Sequence, residues 1–241
     1  MFIDTSNRSN AAETMDDFSM EGETLKDALD KIASINQLLG GNNITLNGLR
    51  WLIKRQQESF KTSRELSILD VGCGNGDMLR FLAGYAQKNR LKFKLTGIDA
   101  NAFTIGHARQ LSANYPDIDY ICADIFDLLK QDRSYDVILC TLTLHHFKDD
   151  ELLQLMEGFK EKTSLGVVVN DLHRSALAYY LFMAICFVFR LNKMSKGDGL
   201  VSILRGFKKR ELLSFSKQLN LKSYRIRWKW AFRYQWIIAK I

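Results

Sequence analysis

The stretch Ser67-Ile68-Leu69-Asp70-Val71-Gly72-Cys73-Gly74-Asn75-Gly76 runs from an apolar strand pattern into an acid and then three glycines spaced two apart. The periodic segment Met78 to Tyr85 follows and reads as a helix. Glycines at such a strand-to-helix turn let the backbone pass close beneath a ligand, with no Cβ in the way. This arrangement builds a nucleotide-type pocket at the carboxyl end of the first strand of an α/β sheet. Which nucleotide it takes is a separate question.

The flanking segments extend the same fold. Leu25 to Leu39 carries an apolar stripe at helical spacing, Gly40-Gly41-Asn42-Asn43 stops it, and Ile44 to Phe60 reads as a second helix. Strands are predicted at Leu66 to Val71, Phe93 to Ile98, Ile118 to Cys122, Tyr135 to Cys140 and Leu165 to Val169, with helices at Phe103 to Ser112 and Asp150 to Lys162 between them. Strands alternating with helical patterns argue for a doubly wound, mostly parallel sheet with ligands at the carboxyl ends of its strands. Ala176 to Leu191 is almost wholly apolar, and Asn192 to Gly199 reads as a polar link. Lys208 to Leu219 is a last helix. Tyr224 to Trp230 and Tyr234 to Ala239, parted by Ala231-Phe232-Arg233, read as a hairpin or an antiparallel edge that brings the sheet to seven strands. The fold class is therefore α/β and Rossmann-like, with N-terminal helices and a helical cap inserted after strand five. Residues 1–62 are expected to form an N-terminal helical lid or cap segment and 63–241 the main domain, whose insertion 172–207 is expected to contribute to the ligand pocket.

Charge is unevenly placed. The chain has 241 residues and a net charge of +7, yet Arg205 to Lys240 holds eleven Lys/Arg against one acid, Glu211. A basic end invites nucleic acid or an anionic membrane. The alternation of Lys222-Ser223-Tyr224-Arg225-Ile226-Arg227-Trp228-Lys229-Trp230 instead suits a half-buried strand with a solvated face, and nucleic acid is not the expected partner. The apolar run 176–191 is shorter than the roughly 20 residues a bilayer needs. It reads as a cap or core helix, with a lipid-touching face or a dimer contact as alternatives, and the oligomeric state stays open. Cys73, Cys122, Cys140 and Cys186 show no CxxC pair and read as small buried hydrophobes. Met1 to Arg8 lacks the basic start and apolar core of a signal peptide. A cytoplasmic location is expected, with the inner membrane surface as the peripheral alternative. Met1 to Asp17 is polar and reads as a mobile arm.

Three acids choose among nucleotides. A dinucleotide fold carries GxGxxG, which needs a glycine where Asp77 stands. Asp70, just before the glycine turn, repels a phosphate but accepts hydrogen bonds from a cationic or amine-bearing ligand. Asp99 ends strand two, where an acid accepts both ribose hydroxyls. Asp124 follows strand three and can accept from an adenine amino group, while Ile125 packs on the ring. Each acid alone also reads as a loop or cap residue. Together, at successive strand ends, they favour an adenosine site without phosphates.

On these residues the chain resembles the class I methyltransferases dependent on S-adenosylmethionine. Ile68 to Gly76 resembles their first motif. Gly97-Ile98-Asp99, Ala123-Asp124-Ile125 and Tyr135-Asp136-Val137-Ile138-Leu139-Cys140 look like the next ones in order, over roughly Leu66 to Val169. The resemblance implies S-adenosyl-L-methionine as cofactor, with Asp70 near its methionine end, Gly72, Gly74 and Gly76 beneath it, Asp99 on the ribose and Asp124 with Ile125 around adenine. Cys73, Ala100 and Cys140 join that cofactor-binding set. Leu144-His145-His146-Phe147 looks like the turn after strand four in small-molecule enzymes similar to ubiquinone and menaquinone methyltransferases. More loosely, Asn170-Asp171-Leu172-His173-Arg174 and Ser202-Ile203-Leu204-Arg205-Gly206-Phe207 resemble methyltransferases found with bacterial polyketide and aryl-lipid pathways.

Methyl transfer from a sulfonium is an in-line displacement, and a hydroxyl acceptor also needs its proton removed. His146, His173 and His145 all follow strands four or five and are the candidate bases, in that order. His107 lies in a helix and reads as structural. Asp171 orients His173 or binds substrate; Arg174 holds an acceptor carboxylate or neutralises Asp171. Nothing fixes a metal geometry, and no metal is expected. The expected reaction is methylation of a small hydrophobic acceptor, first on a phenolic or other ionisable hydroxyl. Carbon methylation of a quinone-like or aryl ring is the alternative, and RNA or protein methylation a further one. The amine-methylating Asn/Asp-Pro-Pro-Tyr/Phe signature is absent after strand four, and the chain's single proline is Pro116.

Overall fold

The computed structural model describes residues 3–55 and 64–240. Its strands are β1 (Leu66–Val71), β2 (Phe93–Asp99), β3 (Ile118–Cys122), β4 (Tyr135–Thr141), β5 (Thr163–Leu172), β6 (Tyr224–Lys229) and β7 (Arg233–Ala239). They form one sheet in the order β3-β2-β1-β4-β5-β7-β6. β7 runs antiparallel to both β5 and β6, and the remaining pairings are parallel. The order reverses at β1, between β2 and β4, and there a crevice opens at the strand ends.

The apolar runs are continuous because each strand feeds two cores. In β1, Leu66 and Ile68 enter one cluster and Leu69 and Val71 the other; Val137 and Leu139 of β4 oppose Ile138 and Cys140 in the same way. Helices cover both faces. On the first lie α2 (Gly41–Arg55), α3 (Asp77–Asn89) and α4 (Ala102–Leu111), through residues such as Leu49, Leu79 and Ala108. On the second lie α5 (Ile125–Lys130), α6 (Asp149–Glu161) and α9 (Lys209–Gln218), through Leu128, Phe159 and Phe215. α1 (Glu23–Leu38), α7 (Ala176–Val188) and α8 (Lys193–Arg205) stand around the strand ends.

The fold class read from the sequence is the one observed, and four local readings change. The polar link at 192–199 is the first half of α8: Asn192 caps it, its side chain accepting from Ser195 N at 2.8 Å. Gly197 and Gly199 hide the helical signal, and a Cβ on Gly199 would run into the Phe182 ring of α7. β5 continues past Val169 because Asn170, Asp171 and Leu172 pair with Gln235, Tyr234 and Arg233 of β7. Arg233 is thus a strand residue, not part of the turn. The second helix starts at Gly41 rather than Ile44, and the part of it expected at 56–60 lies outside the described residues.

The fourth change concerns the amino-terminal arm, which is pinned rather than loose across its described residues. Arg8 donates to Asp149 Oδ1 (2.6 Å), His145 O (3.0 Å), Phe147 O (2.8 Å) and Arg205 O (2.9 Å). The buried Asp198 carboxylate accepts from Thr14 N at 2.8 Å and Met15 N at 3.0 Å. Farther on, Asn101 Nδ2 donates to Phe18 O and Met20 O. Such bonds join residues more than eighty positions apart, so no local pattern announces them.

Candidate active site

A cavity of about 740 Å³ fills the crevice at the strand ends. The turns after β1 to β5 form its floor; the arm, α1, α7, α8 and the β6–β7 turn form its walls.

The glycine turn builds the β1 side. Gly72 (φ +63°) and Gly74 (φ +52°) both line the cavity, in a left-handed backbone that other residues adopt at a cost. Gly76 does not line it: this residue stands before α3, where a Cβ would strike the Tyr120 hydroxyl. Its role is the turn rather than a ligand contact. Asp70 is buried in the floor, and burial, with Asp77 and Asp99 nearby, pushes its carboxyl up to about 8. Asp99 is also raised, chiefly by burial, while its oxygens accept from Gly74 N (3.1 Å) and Asn101 N (3.0 Å). Acids crowded this way favour a positively charged ligand, and a sulfonium with an α-ammonium group meets that demand. Cys73, Ala100, Asp124 and Ile125 line the same cavity, and Asp124 also caps α5 by accepting from Phe126 N at 2.7 Å. Cys140 departs from expectation: its side chain points into the core of β4, and Thr141, Leu142 and Thr143 line the cavity instead.

The other half of the cavity is greasy. Ala178, Leu181, Phe182 and Ile185 of α7 face it, with Ile203 of α8 and Trp230 and Phe232 of the β6–β7 turn. That turn has Ala231 at φ +60° and Phe232 at φ +54°. Two successive left-handed residues in a hairpin loop ordinarily call for Asn or Gly. Phe232 is held there by stacking on His173 (centroids 6.3 Å) and by its carbonyl, which accepts from His173 N at 2.8 Å.

The three candidate histidines differ in which nitrogen is free. His173 Nδ1 lies 3.2 Å from Trp228 Nε1, and an indole can only donate, so His173 Nδ1 accepts and Nε2 carries the proton. Burial, with Lys208 and Arg174, also lowers its pKa, so His173 is neutral and offers a donor rather than a base. His146 Nδ1 lies 2.7 Å from Asp16 Oδ1. Burial works against its protonation, but Asp16 and Glu13 outweigh it and raise its pKa, which suits an ion pair. His145 is buried, and its Nδ1 lies 2.7 Å from Asp171 Oδ1. In the neutral imidazole, Nδ1–H donates to this carboxylate and Nε2 is the acceptor nitrogen. That nitrogen has no hydrogen-bond partner among the described residues, and His145 lines the cavity. Asp171 therefore orients His145, not His173, with His145 N and Leu172 N also donating to it. His107, by contrast, ties α4 to α1 through Asp30 at 2.8 Å.

Glu13 and Asp16, in the arm, were invisible in the sequence because their partners are far along the chain. Glu13 Oε1 sits 3.8 Å from His145 Nε2, and Arg205 Nη1 lies 3.1 Å from Glu13 and 2.8 Å from Asp16. The ligand atoms of Glu13, His145 and His146 lie within 4.8 Å of one another. Arg205 already supplies the positive charge there: the ion-pair network joins Arg205 and His146 to Glu13 and Asp16. Arg174 does not line the cavity: it is buried against Glu211 and the carbonyls of Thr5, Ser6 and Gly206. Arg233 does line the cavity.

Residues 68–164 match a family described as a methyltransferase domain. The ubiquinone biosynthesis O-methyltransferase of Rickettsia bellii (strain OSU 85-389) is 28% identical over 137 residues, 55% of this chain and 53% of that protein. The chain thus spans about half the length of the curated relatives it matches. Among solved structures, the plantazolicin methyltransferase BpumL in complex with SAH aligns with a TM-score of 0.67 at 18% identity, over 90% of each chain. The magnesium protoporphyrin IX methyltransferase (ChlM) from Synechocystis PCC 6803 with bound SAH aligns at 0.54 and 14%, over 83% of each. The resemblance read from the glycine turn and the ordered acids is borne out by the matching domain and by this fold.

Proposed function

We propose that this chain, which carries a class I methyltransferase domain and its seven-stranded sheet, methylates an ionisable hydroxyl on a small hydrophobic acceptor. The cofactor is S-adenosyl-L-methionine, which supplies the electrophilic methyl group. Asp70, Gly72, Gly74, Asp99, Ala100 and Ile125 are the residues to hold it. Phe182, Ile185 and Phe232 offer the acceptor's apolar body a hydrophobic wall. His145 Nε2 accepts the hydroxyl proton, and Asp171 fixes the tautomer and stabilises the imidazolium that forms. Glu13 lies over Nε2, so the acceptor hydroxyl enters beside or in place of that carboxylate. The observation that carries this reading is His145, a residue of the cavity lining: one nitrogen is held by a buried acid, and the other, beneath Glu13, has no hydrogen-bond partner among the described residues.

The test is product analysis. The protein with S-adenosyl-L-methionine and a panel of alkylphenols should yield aryl methyl ethers by mass spectrometry. A methyl on ring carbon would move the reading to carbon methylation and leave the cofactor site standing; no transfer to any small acceptor would sink it.

We further propose a peripheral contact between α7 and an anionic lipid surface. Leu177, Phe187 and Val188 are 59%, 87% and 72% exposed on a helix without a charged residue, and the exposed Arg190, Lys193 and Lys196 follow its carboxyl end. The inner side of the same helix lines the cavity. No helix among the described residues is long and apolar enough to cross a membrane, so the contact is a lying one.

A further inference from the structure

Arg233 is a buried cation in the cavity wall. It is 3% exposed, and burial, only partly offset by Asp171, lowers its pKa to about 10. Its Nε and Nη1 have no hydrogen-bond partner among the described residues. Burying a guanidinium without partners is costly, and folded chains ordinarily avoid it. Arg174 shows the ordinary solution nearby: its Nε, Nη1 and Nη2 all donate, to three carbonyls and to Glu211. Asp171 does not provide that for Arg233. Its oxygens accept from His145 N, His145 Nδ1 and Leu172 N, and it acts on Arg233 through charge alone.

Position gives the unpartnered donors a meaning. Among the described residues, Arg233 is the one Lys or Arg that lines the cavity. It pairs with Leu172 across β5–β7, and on β7 it lies two residues before Gln235, on the acceptor side of the sheet rather than beside the glycine turn. Leu172 and Phe232, half-buried beside it in the wall, are apolar and offer the guanidinium no polar partner. The residues just before it, Ala231 and Phe232, are held in left-handed backbone. Strain of that kind persists where surrounding contacts impose it, and here it sets the point at which β7 begins. A buried planar fork of N–H donors in an apolar wall matches a carboxylate, which it can grip with two parallel hydrogen bonds.

We infer that Arg233 is the anchor for a carboxylate on the methyl acceptor, whose class is then a hydrophobic acid rather than a neutral phenol. The word acceptor rests on the methyl-transfer reading above; the pairing of a carboxylate with Arg233 does not. The cofactor's own amino-acid carboxylate is the competing source of the same chemistry, and the test separates the two.

The experiment measures equilibrium binding to the full chain, with SAH present, of two acid/amide pairs: 6-hydroxy-2-naphthoate with its carboxamide, and decanoate with decanamide. Wild type should prefer at least one acid over its amide by about tenfold to a hundredfold, the range of charge-assisted hydrogen bonds. Arg233→Met should bring that preference to within about twofold while amide affinity and SAH affinity hold. Wild type that prefers neither acid overturns the proposal, and this comparison stands even if the Met variant does not fold. An unchanged acid preference in a folded Arg233→Met overturns it as well. So does loss of SAH affinity with the acid preference intact, which would give Arg233 to the cofactor. Wild type that fails to bind SAH at all counts against the methyl-transfer reading and not against the anion site.

Discussion

His145 and Asp171 are joined at 2.7 Å, 26 positions apart in sequence, and the imidazole's other nitrogen has no hydrogen-bond partner among the described residues. On the proposed reading the two side chains act as one proton-accepting unit. Replacing His145 by Gln should lower kcat by about 10²–10⁴-fold and leave SAH binding nearly intact. Asp171→Asn should lower kcat too, because an amide no longer demands the Nδ1 proton. Steady-state kinetics over a series of phenols checks the role. The loss should shrink as acceptor pKa falls, since an ionised oxygen needs no base; a loss independent of acceptor pKa would mean that His145 only positions.

Asp99 is the cofactor's test residue. Its carboxylate already takes Gly74 N and Asn101 N, so it both shapes the turn and faces the cavity. Asp99→Ala should weaken SAH binding by about 1.5–3 kcal/mol, the range for hydrogen bonds to a charged group. Calorimetry measures this, with thermal unfolding as the check that the turn survives. Equal affinity in wild type and variant would remove Asp99 from the ribose.

The arm should loosen with rising pH. His146 titrates above its usual range because Asp16 and Glu13 outweigh the effect of its burial, with Asp171 adding to them; Arg205 opposes them nearby. A raised histidine contributes stability in full below its unfolded pKa of about 6.5 and loses it as pH rises through the folded value. For Asp16, burial works upward, but its bonds to His146, Glu13 N and Arg205 hold the carboxyl far below its usual range. Its contribution is therefore complete above about pH 4 and fades only in acid. The arm is held best between about pH 4 and 6.5. Hydrogen exchange at the Thr14 and Met15 amides, which bond to Asp198, reads this directly. Their protection should fall above neutrality in wild type and lose that dependence in His146→Gln. Constant protection from pH 6 to 9 would contradict the ion pair.

Vesicle flotation addresses α7. Association with anionic vesicles at low salt should weaken as salt rises, because the Arg190, Lys193 and Lys196 component is screened within about 8–10 Å. Phe187→Ser with Val188→Ser should reduce it while SAH affinity stays unchanged. A chain that never floats with anionic lipid leaves α7 as a wall of the cavity alone.

What could be read from the sequence follows the distance over which each feature is encoded. The glycine turn and the strand runs are local, and each strand's unbroken apolar character reflects its two cores, as Ile68 and Leu69 show by entering opposite ones. The sheet and the adenosine-type floor were legible for that reason. The acceptor side was not. Arg174 and Arg233 look equally available in the sequence, yet one ends among Glu211 and three carbonyls and the other in the cavity wall. The histidines differ in the same way: Trp228 and Asp16 decide which nitrogen is free, and they lie 55 and 130 residues from His173 and His146. α8 escaped because two glycines broke its stripe, one of them spared a Cβ for Phe182.

The Ala231-Phe232 turn bears on how this chain would respond to selection for heat resistance. Asn-Gly at those positions tolerates the left-handed backbone and should relieve about 1–2 kcal/mol at each. The melting temperature should rise, and in the same variant the ring that stacks on His173 disappears from the wall. A screen scored only on thermal survival would therefore keep a change that widens the pocket beside Arg233, and binding of naphthoate-sized probes would reveal the loss. Thermotolerant descendants of this chain that still discriminate among acceptors should retain an aromatic residue at position 232 and gain their stability elsewhere.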